Sequence, residues 1–383
     1  MNRKQLIVLL LLVLVIGGVG IVMFKRDTEA WQGPDSRLGQ KVLASLQVSD
    51  IAHIHIKHKN EELNLVYDGK VWGVKERGGY PADPALVSEL TFKARDWKIV
   101  QSEPISDEQR PRVDVAAPDA KEGASTLLEF RGKDGKPLAT LFLGKKHLGK
   151  PPLQVKGFDK GQPDGRYILI GSDPNTVVVV QDPMNNIEPK PEKWISKEFV
   201  RIDSVKSIEL DSGVPEASYK LTRETEMGDF VLDGIKPGQT TDIGASLSTT
   251  NALYQLAFVD VTTMKAAELQ RPTKIEIDTF DGWHYSIKIA PKDDSHMYFT
   301  FNVSGEFKKT ERVPRKDETP EDKAKRDKDH EEKMQRLEAQ LAREKTMNDW
   351  VYVVETKTLG GLLRVRERFI EKPEPPQKPA AKK

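Results

Sequence analysis

The sequence predicts an α+β protein: an N-terminal transmembrane helix followed by two tandem antiparallel-sheet-plus-helix units, with a long charged helix inserted in the second. Three observations carry this. Leu6 to Phe24 is an apolar run without a charged residue, and as a helix it reaches roughly 28 Å, close to the hydrocarbon thickness of a bilayer. Asp68-Gly69, Asp134-Gly135 and Asp281-Gly282 each separate two runs of strand-forming residues, a strong local signal for a hairpin. The order of elements beyond residue 200 restates the order before it, the signature of a repeated unit.

Composition narrows the function classes. The chain has 383 residues, 60 basic against 59 acidic side chains, and no cysteine. Charges so nearly balanced set up no net field to hold nucleic acid. Without cysteine there is no thiol nucleophile, no disulfide framework and no site for a lipoprotein's lipid. A hydrophobic fraction of 37% suffices for the cores of two domains, and a charged fraction of 31% implies a well-solvated surface.

Residues 1–24 read as a membrane anchor. Lys25, Arg26, Asp27, Thr28 and Glu29 follow the apolar run directly, with no A-x-A pattern at its end, so a retained anchor is favoured over a cleaved signal. Arg3 and Lys4 on one side face Lys25 and Arg26 on the other, so the positive-inside count is almost even. The very short N-terminal side is the usual cytoplasmic one. The expectation is a single-pass protein of a bacterial inner membrane with its body in the periplasm. Gly17, Gly18 and Gly20 are small enough to let a second membrane helix approach. Residues 25–45 read as a juxtamembrane linker broken at Gly33-Pro34.

The first α+β unit spans 46–182. Ile54 and Ile56 alternate with His53, His55 and Lys57, the pattern of a half-buried strand. A hairpin turns at Asp68-Gly69. Asp83-Pro84 opens a helix, with Leu86, Leu90, Ala94 and Trp97 at helical spacing. A second hairpin turns at Asp134-Gly135, and RYILIG and NTVVVVQD follow as strands. Prolines 183, 189 and 191 mark a linker at 183–199.

The second unit, 200–370, runs through the same series. Val205–Leu210 stands where Ile51–Ile56 stood. Gly228–Gly234 takes the place of the returning strand of the first hairpin. A helix follows Asp242, with Leu247, Leu253 and Tyr254 as its apolar positions. TKIEIDTFDGWHYSIKIA is the second hairpin, and MYFTFNV and WVYVVET are the closing strands. Between those two strands lies an insert, 319–346, that is almost entirely charged. Thr319 caps it, Pro320 suits its first turn, and Glu, Lys and Arg at helical spacing favour a helix of roughly 40 Å. Met334, Leu337 and Leu341 form its one apolar stripe, a candidate partner-binding face. The tail, 371–383, is rich in Pro and Lys and is expected to be disordered.

No motif assigns a reaction. GKKHLGKP, starting at Gly144, has phosphate-loop spacing, but Pro151 and Pro152 stand where the chemistry needs a Ser or Thr and a helix start, so an exposed basic loop is favoured. His53, His55 and His58 could suggest zinc, yet no carboxylate is placed near them by sequence, and solvent-facing histidines are favoured. G-x-S-x-G, H-E-x-x-H and S-x-x-K are absent. The expectation is no catalytic residue, no cofactor and no metal, with the tryptophans serving packing.

MNRKQLIVLLLLVLVIGG resembles the anchor of bacterial proteins carrying the domain of unknown function 4340. VSDIAHIHIKHKNEELNLVYDGKVWGVKERGGYPADPALVSEL is similar to that domain's core, in which a D-I-x-x-I strand and a D-G-x-W-x-V hairpin precede Y-P-A-D and a helix. The resemblance covers residues 1 to about 105 well and the rest by pattern; the charged insert departs from it. It implies an inner-membrane protein encoded with a gliding-motility-type ABC transporter, an auxiliary extracytoplasmic component that contacts the transporter's membrane subunits. It carries over no functional residue. Two other readings stand beside it: an enzyme acting on an envelope polymer, with a carboxylate site between the units, and a scaffold using the charged helix as a coil.

Overall fold

The computed structural model describes residues 37–149, 162–267, 269–305 and 319–371. The expected anchor with Gly17, Gly18 and Gly20, the linker as far as residue 36, and the tail beyond Glu371 lie outside these residues. Among the described residues no helix is long and apolar enough to cross a membrane. Two antiparallel sheets and three α-helices lie among the described residues, an α+β architecture.

The chain divides into two compact units. Among the described residues, one comprises those up to Trp72 and those from Pro84 to Lys190; the other comprises Gly73–Asp83 and those from Pro191 onward. The excursion 73–83 therefore groups with the second unit, an interleaving that the linear reading of 46–182 as one block does not contain.

The first unit holds β1 (His53–His58) and β2 (Glu61–Tyr67). The short hairpin of β3 (Trp72–Val74) and β4 (Tyr80–Pro81) follows, then α1 (Pro84–Asp96) and β5 (Ile99–Pro104). Next come β6 (Thr126–Arg131), β7 (Pro137–Leu148), β8 (Pro163–Ile170) and β9 (Asp173–Val180). The unit's sheet runs β2-β1-β6-β7-β8-β9-β5. The register follows from alternation: Ile54 opposes Leu65 and Phe130, Ile56 opposes Leu63 and Leu128, and all six are fully buried. At the end of β2 the Asp68 carboxylate accepts from the amides of Lys70 and Val71, both at 2.8 Å, and Gly69 takes φ +100°. That is a conformation open to glycine at no steric cost. α1 begins at Pro84 and buries Val87, Leu90, Thr91 and Ala94. Trp97 lies just past its end, buried, with its indole N–H on Asp182 at 3.1 Å.

The second unit holds β10 (Val205–Asp211), β11 (Tyr219–Thr222), β12 (Val231–Leu232), α2 (Ile243–Tyr254) and β13 (Asp260–Thr263). They are followed by β14 (Thr273–Thr279), β15 (Trp283–Pro291), β16 (His296–Gly305), α3 (Pro320–Lys345) and β17 (Trp350–Glu355). Its eight-stranded sheet runs β12-β11-β10-β14-β15-β16-β17-β13. From β11 onward this order matches that of the first unit strand for strand. Each unit also places a helix between its first hairpin and the strand at the far edge.

An aromatic cluster fills the second core. Tyr352 packs against Phe199 at 4.5 Å and Phe258 at 5.0 Å between ring centroids. Tyr80, from the 73–83 excursion, meets Trp350 edge-on at 5.2 Å. The same excursion is held by a bidentate ion pair, Arg77 Nε to Asp260 Oδ1 at 2.6 Å and Nη2 to Oδ2 at 2.8 Å. Two hydrogen bonds in one plane fix both orientation and distance.

Candidate functional site

α3 carries its start and stop signals in sequence. Thr319 Oγ1 accepts from the Asp322 amide at 3.1 Å, Glu321 and Asp322 sit in the first turn, and Arg343 and Lys345 in the last. Each arrangement complements the helix dipole. Met334, Leu337 and Leu341 are half-buried and share one face with Glu344, which is 1% exposed, on the side where α3 packs on β16. Tyr285 on β15 donates its hydroxyl to Glu344 Oε2 at 3.0 Å, and Gln340 Nε2 donates to Oε1 at 2.7 Å. Burial holds the Glu344 carboxyl above its ordinary value, aided by the Asp203 charge. The Asp203 carboxyl, itself on the surface, is also raised, by partial burial and the neighbouring Asp281 and Glu226 charges. Lys333 reaches Asp281 at 2.7 Å. The first half of α3, by contrast, is almost wholly exposed.

The histidines of β1 sit differently from expectation. His55 is 8% exposed, not solvent-facing. Pairing sets Asn64 on β2 and Glu129 on β6 directly opposite it, and Glu62 two residues along β2 on the same face. His55 Nε2 meets Glu62 Oε1 at 2.8 Å, and His53 Nε2 meets Asn64 Oδ1 at 2.8 Å. Glu129 in turn accepts from Arg131 and, at 3.1 Å, from the Thr140 hydroxyl. Cross-strand neighbours thus bring in carboxylates that linear spacing could not place. Among the described residues no group of three or more His, Asp or Glu side chains is arranged to hold a metal ion.

The Gly144 segment is also not a loop. β7 continues through it to Leu148, pairing Lys146 with Arg166 and His147 with Gly165, and His147 Nδ1 lies 2.6 Å from Asp164. From Lys146 onward the segment is paired in a sheet and opens no helix, the element whose free amides a phosphate cradle uses. Lys150 and Pro151 lie outside the described residues.

The surface that stands out chemically is α2. Asp242 caps it, accepting from the Ala245 amide at 2.8 Å. From Ile243 to Val259 there is no charged residue, in a chain that is 31% charged. Its inner face is small: Ala245, Ser246, Thr249 and Leu253 are buried. Thr249 donates to the Gly361 carbonyl at 2.9 Å, and a Cβ at Gly361 would stand 2.6 Å from the Ser248 carbonyl. The close approach of segment 359–369 therefore requires small residues inside and sends the large ones outward. Ile243, Leu247 and Tyr254 are 49%, 54% and 46% exposed, on one stripe at helical spacing, with Val365 nearby at 47%. Leu253 alone of the expected apolar set packs inward, because it sits about 100° around the helix from Tyr254.

Guanidinium groups border this stripe. Arg201 lies over the Tyr254 ring at 4.6 Å, and Arg364 donates to Ser248 Oγ at 2.8 Å. Arg366 and Arg368 follow on the segment packed against α2, together with Glu367. An uncharged apolar patch with Tyr at one end and Arg at the rim has the composition of a binding surface. The absence of charge over Ile243–Val259 was the signal in the sequence; which residues faced out was not legible there.

Comparison with family models, with curated proteins and with solved structures finds no match for the chain.

Proposed function

We propose that the chain is a single-pass, membrane-tethered protein whose body lies in the periplasm and works by binding rather than by catalysis, as an auxiliary component of an ABC-type transport assembly. The observation that carries this reading is the uncharged run Leu6–Phe24 ahead of a large, highly charged body. The transport role draws its support from the resemblance of residues 1–105 to domain of unknown function 4340 proteins. The binding role draws on the exposed α2 stripe. Gly17, Gly18 and Gly20 are the positions at which a transporter helix would approach closely.

Purification of the detergent-solubilised chain from its native membrane, after crosslinking, tests the assignment. Recovery of ABC transporter membrane subunits supports it. Recovery of the chain alone ends it.

The matching strand orders support a further point: the two units are copies of one ancestral α+β unit, the second having acquired α3 between its last two sheet-closing strands.

A second reading, an enzyme acting on an envelope polymer, is favoured by one feature, the two raised carboxyls Glu344 and Asp203. Both belong to the second unit. Both Glu344 oxygens are already occupied by Tyr285 and Gln340, which suits a helix anchor better than a group awaiting substrate. Polysaccharide hydrolysis that disappears in Glu344→Gln while the fold persists would reverse that preference.

A further inference from the structure

We infer that the exposed face of α2 rests on the membrane surface, with Ile243, Leu247, Tyr254 and Val365 entering the headgroup boundary and Arg201, Arg364 and Arg368 meeting anionic headgroups. The inference rests on the tethered reading above.

Three observations choose lipid over protein. First, the stripe is uncharged and half-exposed, and Arg201, Arg364 and Arg368 border it with the carboxylate of Glu367, whereas Arg366 is held by the Asp233 carbonyl and Glu371 by the Thr240 hydroxyl. Asp242, the remaining acid at the helix start, is committed to its cap. That is the charge balance an anionic bilayer attracts. Second, the Arg201–Tyr254 pair, 4.6 Å from guanidinium to ring centroid, joins an apolar body to a charged tip, the chemistry of side chains that sit at a lipid–water boundary. Third, a stable protein interface asks for roughly 800 Å² from each partner, whereas one face of a helix of 12 residues, about 18 Å long and about 10 Å wide, offers roughly 200 Å². A tethered body needs far less, since the anchor keeps it at high effective concentration over the bilayer.

The chain has no cysteine, so single-cysteine labelling is clean. The full chain carrying Leu247→Cys, and separately Met227→Cys at a site 95% exposed in the same unit, is labelled with an environment-sensitive fluorophore. It is then reconstituted into vesicles of phosphatidylethanolamine and phosphatidylglycerol containing an acyl-chain nitroxide. The expected result is nitroxide quenching several-fold stronger at 247 than at 227, with 247 shielded from aqueous iodide. The quenching falls when phosphatidylcholine replaces phosphatidylglycerol, and when Arg364→Glu and Arg368→Glu are combined. A label at 247 open to iodide and untouched by nitroxide overturns the inference. So does a label shielded from both, which means that a second copy or another protein covers the face. Flotation in alkaline carbonate separates the two readings. A chain that does not float refutes the tether itself; one that floats with 247 in water refutes only the lipid-facing assignment.

Discussion

The Tyr285 hydroxyl on β15 donates to Glu344 Oε2 at 3.0 Å, so the last turn of a long, charged helix is pinned to the sheet by a buried carboxyl. Burial raises that carboxyl, and the Asp203 charge raises it further against the opposing hydrogen bonds of Gln340 and Tyr285. The folded state thus binds the Glu344 proton more tightly than the unfolded chain does. Its contribution to stability is full below the ordinary glutamate range and is lost as pH rises through the folded value. Glu344→Gln keeps an acceptor for Tyr285 and removes the titration. Urea midpoints measured through the weakly acidic range should lose part of their decline with rising pH in this variant. Glu344→Ala, which leaves Tyr285 and Gln340 without their acceptor, should cost about 1–3 kcal/mol. An unchanged pH slope in Glu344→Gln would remove Glu344 from this role.

Arg77 and Asp260 make the tie between the 73–83 excursion and the rest of its unit. Their side chains are 21% and 30% exposed, so solvent screens part of the attraction. Arg77→Ala should lower the unit's stability by about 1–2 kcal/mol, read as a shift in urea midpoint. It should also speed amide exchange over Tyr80 and Ala82.

Tyr352 combines packing with a hydroxyl that donates to the Met347 carbonyl at 3.1 Å. Tyr352→Ala opens a hole among Phe199, Phe258 and Phe301 and should cost about 3–5 kcal/mol. Tyr352→Phe keeps the ring and should cost about 1 kcal/mol. Comparable losses in the two variants, measured by chemical unfolding, would mean that the ring packing contributes little.

α3 should behave as two halves. Met334, Leu337 and Leu341 are half-buried, whereas residues before them are almost all exposed. Hydrogen exchange should therefore be fast over Glu321–Lys333 and slower over Met334–Glu344. Leu341→Asp should bring the second half to the rate of the first. Uniform protection along the whole helix would point to a bound partner instead.

Much of this fold was written locally. Asp68-Gly69, Asp134-Gly135 and Asp281-Gly282 lie between successive strands, with their glycines at φ +100°, +77° and +89°, because a tight reversal is decided by a few adjacent residues. Thr319 caps the helix it was expected to cap, and the helix expected after Asp242 begins there, with Asp242 as its cap. What stayed hidden was set by distant partners. His55 is buried because Glu62, Asn64 and Glu129 arrive from neighbouring strands. Leu247 and Tyr254 face outward because Gly361, far along the chain, lies against α2 at the Ser248 carbonyl and Ala252, on the side that Ala245, Ser246, Thr249 and Leu253 face. The strand β11 was missed: with four residues, Tyr219–Thr222 is too short to show a period.

The placement of Gly73–Asp83 with the later residues bears on how the polypeptide matures. Tyr80 leaves the ribosome long before Phe258, Trp350 and Tyr352, the rings it will meet edge-on. The amino-terminal half therefore emerges carrying a borrowed piece it cannot use. Cutting the gene at Lys190 should yield two fragments that are each incomplete, and the early segment must stay unengaged until translation is nearly finished.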